Sequence, residues 1–218
     1  MRPLTYDVPK PMVRFMGADG VRRNLVEHNL ELLPKEVDEL IFIVGYLKGQ
    51  IMNHFGDEFN GRKVRYIVQK KPLGTGHAVS LAQQYIKGRF LVMMGDDLYS
   101  QADIDAVIGA PESAILVQKV RSKFSGGNVE LDGEGNLLGI AEGMHNGGHI
   151  NAALYAVMPE YFNYKMVAIK GGAEYGLPQT LAVMAQDNRV KVIEAKWWQQ
   201  ITDVYDIKRA PNLIKGRV

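Results

Sequence analysis

The chain has 218 residues, enough for one α/β domain with a sizeable core. Its 26 Lys and Arg face 24 Asp and Glu, a net charge of +2, and no dense basic block argues for nucleic acid as the main partner. The absence of cysteine excludes disulfides and thiolate metal sites, and no apolar run approaches the roughly 18 residues of a membrane span.

The elements follow in chain order. Met1 to Met12 reads as proline-rich loop without the apolar core of a signal peptide, so a cytoplasmic protein is expected. Arg22 to Leu33 reads as a helix, with Val26, Leu30 and Leu33 on one face and Pro34 as its stop. Leu40 to Val44 is a continuous apolar run, the pattern of a strand buried on both faces. A helix over Leu47 to Phe55 and a strand over Val64 to Val68 come next. Thr75 to Ile86 is predicted helical, Phe90 to Met94 a strand, Asp103 to Ile108 a helix and Ala114 to Val120 a strand. This alternation implies an α/β fold, a Rossmann-like, doubly wound, mostly parallel sheet with helices on both faces.

The rhythm then changes. Asn128 to Asp132, followed by Gly133, Gly135 and Asn136, reads as a hairpin, and Ile150 to Met158 as another strand. Leu177 to Gln186 is predicted helical, its first turn tolerating Pro178. Val190 to Ala195 is a late strand, and Val204 to Leu213 a short closing helix. No repeat or linker interrupts the chain. A single domain over residues 1–218 is expected, with a first half up to about residue 120 and a second half beyond it that walls a cleft.

Two motifs carry chemistry. Leu73-Gly74-Thr75-Gly76-His77-Ala78 falls between a predicted strand and a predicted helix, and Gly95-Asp96-Asp97 ends the apolar run at residues 90–94. In a parallel α/β sheet both belong at carboxyl ends of strands, where ligands bind. Glycines at 74 and 76 let a flat or phosphorylated ligand come close to the backbone, and an acidic pair can hold a divalent cation. Together they suggest a nucleotide-and-metal site.

These motifs stand in a longer order. Arg2-Pro3-Leu4-Thr5 and Pro9-Lys10-Pro11 come first, then Gln69 with the Leu73–Ala78 run, then Gly95-Asp96-Asp97, Glu142, Asn151-Ala152, Glu174 and Trp198. In this order and spacing the chain resembles the sugar-phosphate nucleotidylyltransferases, which join a nucleoside triphosphate to a sugar 1-phosphate and release pyrophosphate. The Leu-Gly-Thr-Gly-His-Ala run is most like bacterial N-acetylglucosamine-1-phosphate uridylyltransferases.

The resemblance implies roles. Lys10 would meet phosphate oxygens as a point charge on a loop fixed by two prolines. Gln69, with Gly74 and Thr75, would face a pyrimidine base edge, its amide matching uracil or thymine. Asp96 would hold Mg2+ and the nucleotide phosphates, ranking above Asp97, which could instead cap the segment after it. Gly127, with Gly126 beside it, and Glu142, Asn151 and Glu174 would line the sugar site, and His77 reads as structural. The implied reaction needs no protein nucleophile, because the sugar phosphate attacks directly. The implied partners are UTP, or dTTP, with glucose 1-phosphate or N-acetylglucosamine 1-phosphate. No nucleic acid or membrane is expected, and a homo-oligomer is allowed.

The chain also departs from the family pattern. Met1 stands where the family's first strand and glycine-rich phosphate loop would have ended, so that strand, the loop's amides and its arginine are expected to be lacking. Gly17 to Arg23 replaces the usual Gly-Lys-Pro, and Gly143 replaces a lysine that meets the sugar phosphate. The second metal ligand, usually Asp, falls at Gln200, with Asp203 as a neighbouring alternative in a shifted register. These departures motivate two other readings: a catalytically silent nucleotide-sugar-binding regulatory domain, or a truncated inactive fragment.

Overall fold

Asn24 decides where the first helix begins. Its side chain accepts a hydrogen bond from Glu27 N (2.8 Å), and Glu27 Oε2 accepts one in return from Asn24 N (2.7 Å). This reciprocal cap satisfies two of the helix's orphan amides, so the helix runs over Leu25–Glu31 and residues 22–24 stay extended. The sequence pattern had placed the start at Arg22.

The computed structural model describes residues 5–17, 19–169 and 171–215, with side chains as far as Ala210. In chain order the first elements are β1 (Arg14–Met16), β2 (Arg22–Asn24), α1 (Leu25–Glu31), β3 (Glu39–Val44), α2 (Lys48–Phe55), β4 (Glu58–Phe59) and β5 (Arg62–Val68). Then come α3 (Gly74–Ala82), β6 (Phe90–Met93), β7 (Asp97–Tyr99), α4 (Gln101–Gly109), β8 (Ser113–Leu131) and β9 (Leu137–Val157). The last are β10 (Val167–Ala168), β11 (Tyr175–Gly176), α5 (Leu177–Met184), β12 (Val190–Glu194), β13 (Trp198–Gln200) and α6 (Val204–Lys215).

The chain forms two compact units, and neither is continuous in sequence. Unit 1 comprises residues 1–68, 94–104 and 197–218. The late segment belongs to it because β13 pairs antiparallel with β7, setting Gln200 opposite Asp97 and Trp198 opposite Tyr99. The unit is thus closed by strand pairing between distant parts of the sequence. Its apolar cluster gathers Val13, Phe15, Leu25, Leu98, Trp197, Ile201, Ile207 and Ala210. Its parallel pair is β3 with β5, in the order β3-β5-β4. Since β3 has a strand partner on one side only among the described residues, Ile41, Phe42 and Ile43 stay half-exposed. The continuous apolar run had predicted burial on both faces. The buried Arg62 donates to the carbonyls of Leu33, Pro34 and Val37, tying the turn after α1 to β5.

Unit 2 comprises residues 69–93 and 105–196. Its sheet runs β12-β8-β9-β6, parallel between β12 and β8 and antiparallel elsewhere. The predicted hairpin is the tip of a much longer one. β8 and β9 pair from Leu131↔Leu137 back to Ala114↔Ala156, with register breaks near residues 120–123. The ribbon folds back there, and Asn128 accepts from His149 N through Oδ1 (3.0 Å). Leu177, Leu181 and Met184 of α5 pack with Ile115, Val117, Tyr155 and Val157 to make the core.

In unit 1, burial holds the His28 ring neutral, pushing its pKa down to about 4, with Arg23 adding to the effect. A His pKa lowered on folding gives stability that is complete above the ordinary value near 6.5 and lost as pH falls toward 4. Wild type should therefore lose on the order of 3 kcal/mol relative to His28→Phe between pH 7 and pH 4, measured by urea unfolding at each pH.

Candidate functional site

In unit 1 the loop fixed by Pro9 and Pro11 turns at Lys10–Met12. It presses on Gly95, where an added Cβ would lie 3.3 Å from the Pro11 ring. Lys10 Nζ stands 2.6 Å from Asp96 Oδ2, and both side chains are about one-third exposed (30% and 32%). Among the described residues Asp96 Oδ1 carries no hydrogen bond, so one oxygen of this carboxylate is open.

Asp97 is the opposite case. It is 4% exposed. Burial, and then the neighbouring Asp96 carboxylate, push its pKa up to about 7, while the Trp198 indole hydrogen bond pulls the other way. Trp198 Nε1 donates to Asp97 Oδ2 (3.1 Å), and Asn29 Nδ2 donates to Asp97 O (2.6 Å). The cap expected of Asp97 is not its role: it sits within β7 as a buried anchor for β13. Asp203 is used elsewhere, its Oδ1 accepting from Tyr205 N and Asp206 N at the start of α6. Gln200 is exposed, its register partner being Asp97. Arg23 is held by Asp19 and Glu31.

Among the described residues no three His, Cys, Asp or Glu side chains converge as metal ligands. The donors present in unit 1 are one open carboxylate oxygen, with the Gln200 amide on the strand paired with Asp97. An open carboxylate oxygen like that of Asp96 fits magnesium that arrives with phosphate oxygens and waters, since this ion is ordinarily held by one or two carboxylates plus substrate.

In unit 2 the Gly74–Gly76 run meets backbone. Gly74 has φ +89°, and an added Cβ there would overlap Tyr175 O and lie 2.8 Å from Tyr175 N. A Cβ on Gly76 would lie 3.0 Å from the Gly176 carbonyl carbon. Tyr175 N donates to Leu73 O (2.8 Å), and Leu177 N donates to Thr75 Oγ1 (3.1 Å). Both glycines therefore admit another stretch of the chain on this side. That stretch puts Glu174 next to Gly74, with its Cβ 3.0 Å from the position an added Gly74 Cβ would take. Gln69 Nε2 donates to Gly74 O (3.1 Å) and stands 2.9 Å from His77 Nδ1.

The predicted sugar residues divide. Gly127 and Glu142 are register partners in the β8–β9 hairpin. Glu142 Oε1 accepts from Gln179 Nε2 (2.6 Å), and the Gln179 side chain packs over Gly176. Asn151 is engaged internally: Nδ2 donates to Tyr155 Oη (2.7 Å), and Oδ1 accepts from Ala153 N (3.0 Å). Gly126, with φ +144°, faces Ile150. Gln179 and the Tyr175–Gly176 strand were missed by sequence reasoning. Only their place beside Glu174, just before a helix, could have pointed to them.

A family model described as nucleotidyl transferase matches residues 1–207. The chain belongs to this family. The bifunctional protein GlmU of Methanococcus maripaludis is 30% identical over 224 residues, spanning 100% of this chain and 52% of the relative. The chain thus spans about half the length of such curated relatives. The D-glycero-alpha-D-manno-heptose 1-phosphate guanylyltransferase of Campylobacter jejuni is 30% identical over 168 residues, 75% of this chain and 72% of the relative. Among solved structures, the UTP-bound UGPase of Acinetobacter baumannii matches with a TM-score of 0.74 at 16% identity, covering 97% of this chain and 87% of that one. The likeness shows the fold, the α/β nucleotide-sugar transferase type. The Arg2–Leu4 part of the family landmark lies outside the described residues.

Because Gly74 combines a left-handed backbone with a filled Cβ direction, Gly74→Ala should destabilise the nucleotidyltransferase fold by about 2–4 kcal/mol in urea unfolding. Trp198→Phe, which leaves the buried Asp97 carboxyl without its indole donor, should cost about 1–3 kcal/mol by the same measurement.

Proposed function

We propose that the chain transfers a nucleotidyl group from a nucleoside triphosphate to a sugar 1-phosphate. UTP is the favoured donor and dTTP the second, and the acceptor is glucose 1-phosphate or N-acetylglucosamine 1-phosphate. The observation that carries this reading is the Lys10–Asp96 pair, a cation from the Lys10–Met12 turn and a half-open carboxylate from the turn before β7, 2.6 Å apart.

A sugar-phosphate oxygen attacks the α-phosphorus, a new P–O bond forms, the bond to the β-phosphate oxygen breaks, and pyrophosphate leaves with the electron pair. Lys10 moves from Asp96 onto phosphate oxygens and balances the charge that grows on the leaving group. Asp96, with Gln200, is the set proposed to hold Mg2+, which when bound neutralises phosphate charge and aligns the displacement. Gln69, Gly74 and Thr75 are assigned to the base. Gly127, Glu142, Asn151 and Glu174 are assigned to the sugar; for Asn151 this requires exchanging an internal hydrogen bond for a ligand one. The Campylobacter relative is named for guanylyl transfer and the Acinetobacter neighbour holds UTP. Both bases carry an imino N–H.

Silent binding of a nucleotide sugar is the second reading. It is favoured by the closed Lys10–Asp96 contact and by Gly143 standing where the family places a phosphate-binding lysine. Substitution separates the two. Asp96→Ala and Lys10→Ala should each lower pyrophosphate release by about a hundredfold or more while leaving the unfolding midpoint in place. Unchanged turnover in Asp96→Ala would overturn the cation assignment, and nucleotide-sugar binding by a wild-type protein that never turns over would establish the silent reading.

A further inference from the structure

Gly74 O can only accept a hydrogen bond. The end of the Gln69 amide lying 3.1 Å from it must therefore be Nε2, which removes the usual ambiguity over which way an amide points. The same Nε2 lies 2.9 Å from His77 Nδ1. Its second hydrogen is directed there, so Nδ1 must carry a lone pair, and the proton of the neutral ring sits on Nε2 of the imidazole. Both amide donors of Gln69 are engaged. Its Oε1 has no hydrogen bond among the described residues, and the side chain is half-exposed.

The scaffold behind this arrangement is stiff. Gly74 O is held by a backbone at φ +89° that packs directly on Tyr175. Gln69 and His77 are eight positions apart, and His77 sits in the first turn of α3. The result is a polar group that presents one acceptor and no donor.

We propose that His77 is a positioning residue that fixes the Gln69 amide with only its oxygen available, so that the chain takes nucleotides whose base carries an imino N–H and rejects those with a bare ring nitrogen there. This rests on the assignment of Gln69 to the base. Uracil and thymine offer N3–H, and guanine N1–H, to a lone acceptor. Cytosine N3 and adenine N1 would set a lone pair against Gln69 Oε1, and the amide could answer only by giving up its bonds to Gly74 and His77. The structural role first read for His77 becomes a selective one.

The test is calorimetric titration of the protein with UTP and with CTP, in wild type, His77→Leu, His77→Asn and Gln69→Ala, with thermal unfolding as a check on folding. Wild type should prefer UTP. His77→Leu, which offers no acceptor, should lose about tenfold of that preference, and His77→Asn, whose Oδ1 can take the place of Nδ1, should keep it within about twofold. Preference unchanged in His77→Leu but abolished in Gln69→Ala overturns the role of His77 and leaves Gln69 as the base contact. Preference unchanged in Gln69→Ala overturns both assignments. Equal loss in the Leu and Asn variants means His77 acts by bulk alone and overturns the proposal. The imidazole nitrogen spectrum gives a readout that needs no nucleotide: protonated Nε2 with bare Nδ1 is expected, and a proton on Nδ1 overturns it.

Discussion

Unit 2 depends on one close approach of backbone to backbone. The first turn of α3 can lie against Tyr175 and Gly176 only because positions 74 and 76 carry no side chain, and at Gly74 the backbone also enters a region that disfavours other residues. Three consequences follow from the same contact. Leu73 O and Thr75 Oγ1 find their donors in residues 175–177, α5 starts beside α3, and Gly74 O is held where Gln69 reaches it. A glycine pattern that reads naturally as a phosphate or ligand cradle is here also a packing device, and the polar group proposed to read the base is built on top of it.

Unit 1 makes its distinction with two adjacent carboxyls. Asp97 opens the buried strand β7, where desolvation favours its neutral form and Trp198 supplies a donor, while Asp96, in the turn just before it, stays part-exposed against Lys10. The chemistry proposed for this unit falls on Asp96 because it is the carboxylate that keeps an oxygen open. Asp97 fixes β13 against β7 and brings Gln200 opposite itself in register.

Much of this was legible in the residues. The helices over 48–55, 74–82 and 177–184 and the strands over 39–44, 62–68, 90–93 and 190–194 lie where apolar spacing and Gly or Pro punctuation put them. The start of α1 was placed three residues early because the apolar face of Val26, Leu30 and Leu33 does not fix where the helix begins, whereas the Asn24–Glu27 capping box does. The β1–β2 hairpin and the β7–β13 pair were missed because three-residue strands carry too little alternation to register, and their partners are set by tertiary contact. The long β8–β9 ribbon was read as separate strands, Ala114 to Val120, Asn128 to Asp132 and Ile150 to Met158, because the polar and glycine-bearing stretches between them lack strand alternation, whereas the ribbon runs through them. For the residues proposed for the site, the hydrogen bonds were not readable. Nothing in the sequence said that Gln179 would hold Glu142, or that Asn151 would be engaged by Tyr155.

The central claim is chemical turnover, and a pyrophosphate-release assay measures it most directly. The folded protein with Mg2+ would be given UTP, dTTP, GTP, ATP or CTP, each paired with the 1-phosphates of glucose, N-acetylglucosamine and mannose. The account predicts pyrophosphate only when both substrates are present, with UTP or dTTP preferred over ATP and CTP. A folded protein that binds nucleotide yet releases no pyrophosphate with any pair would contradict it.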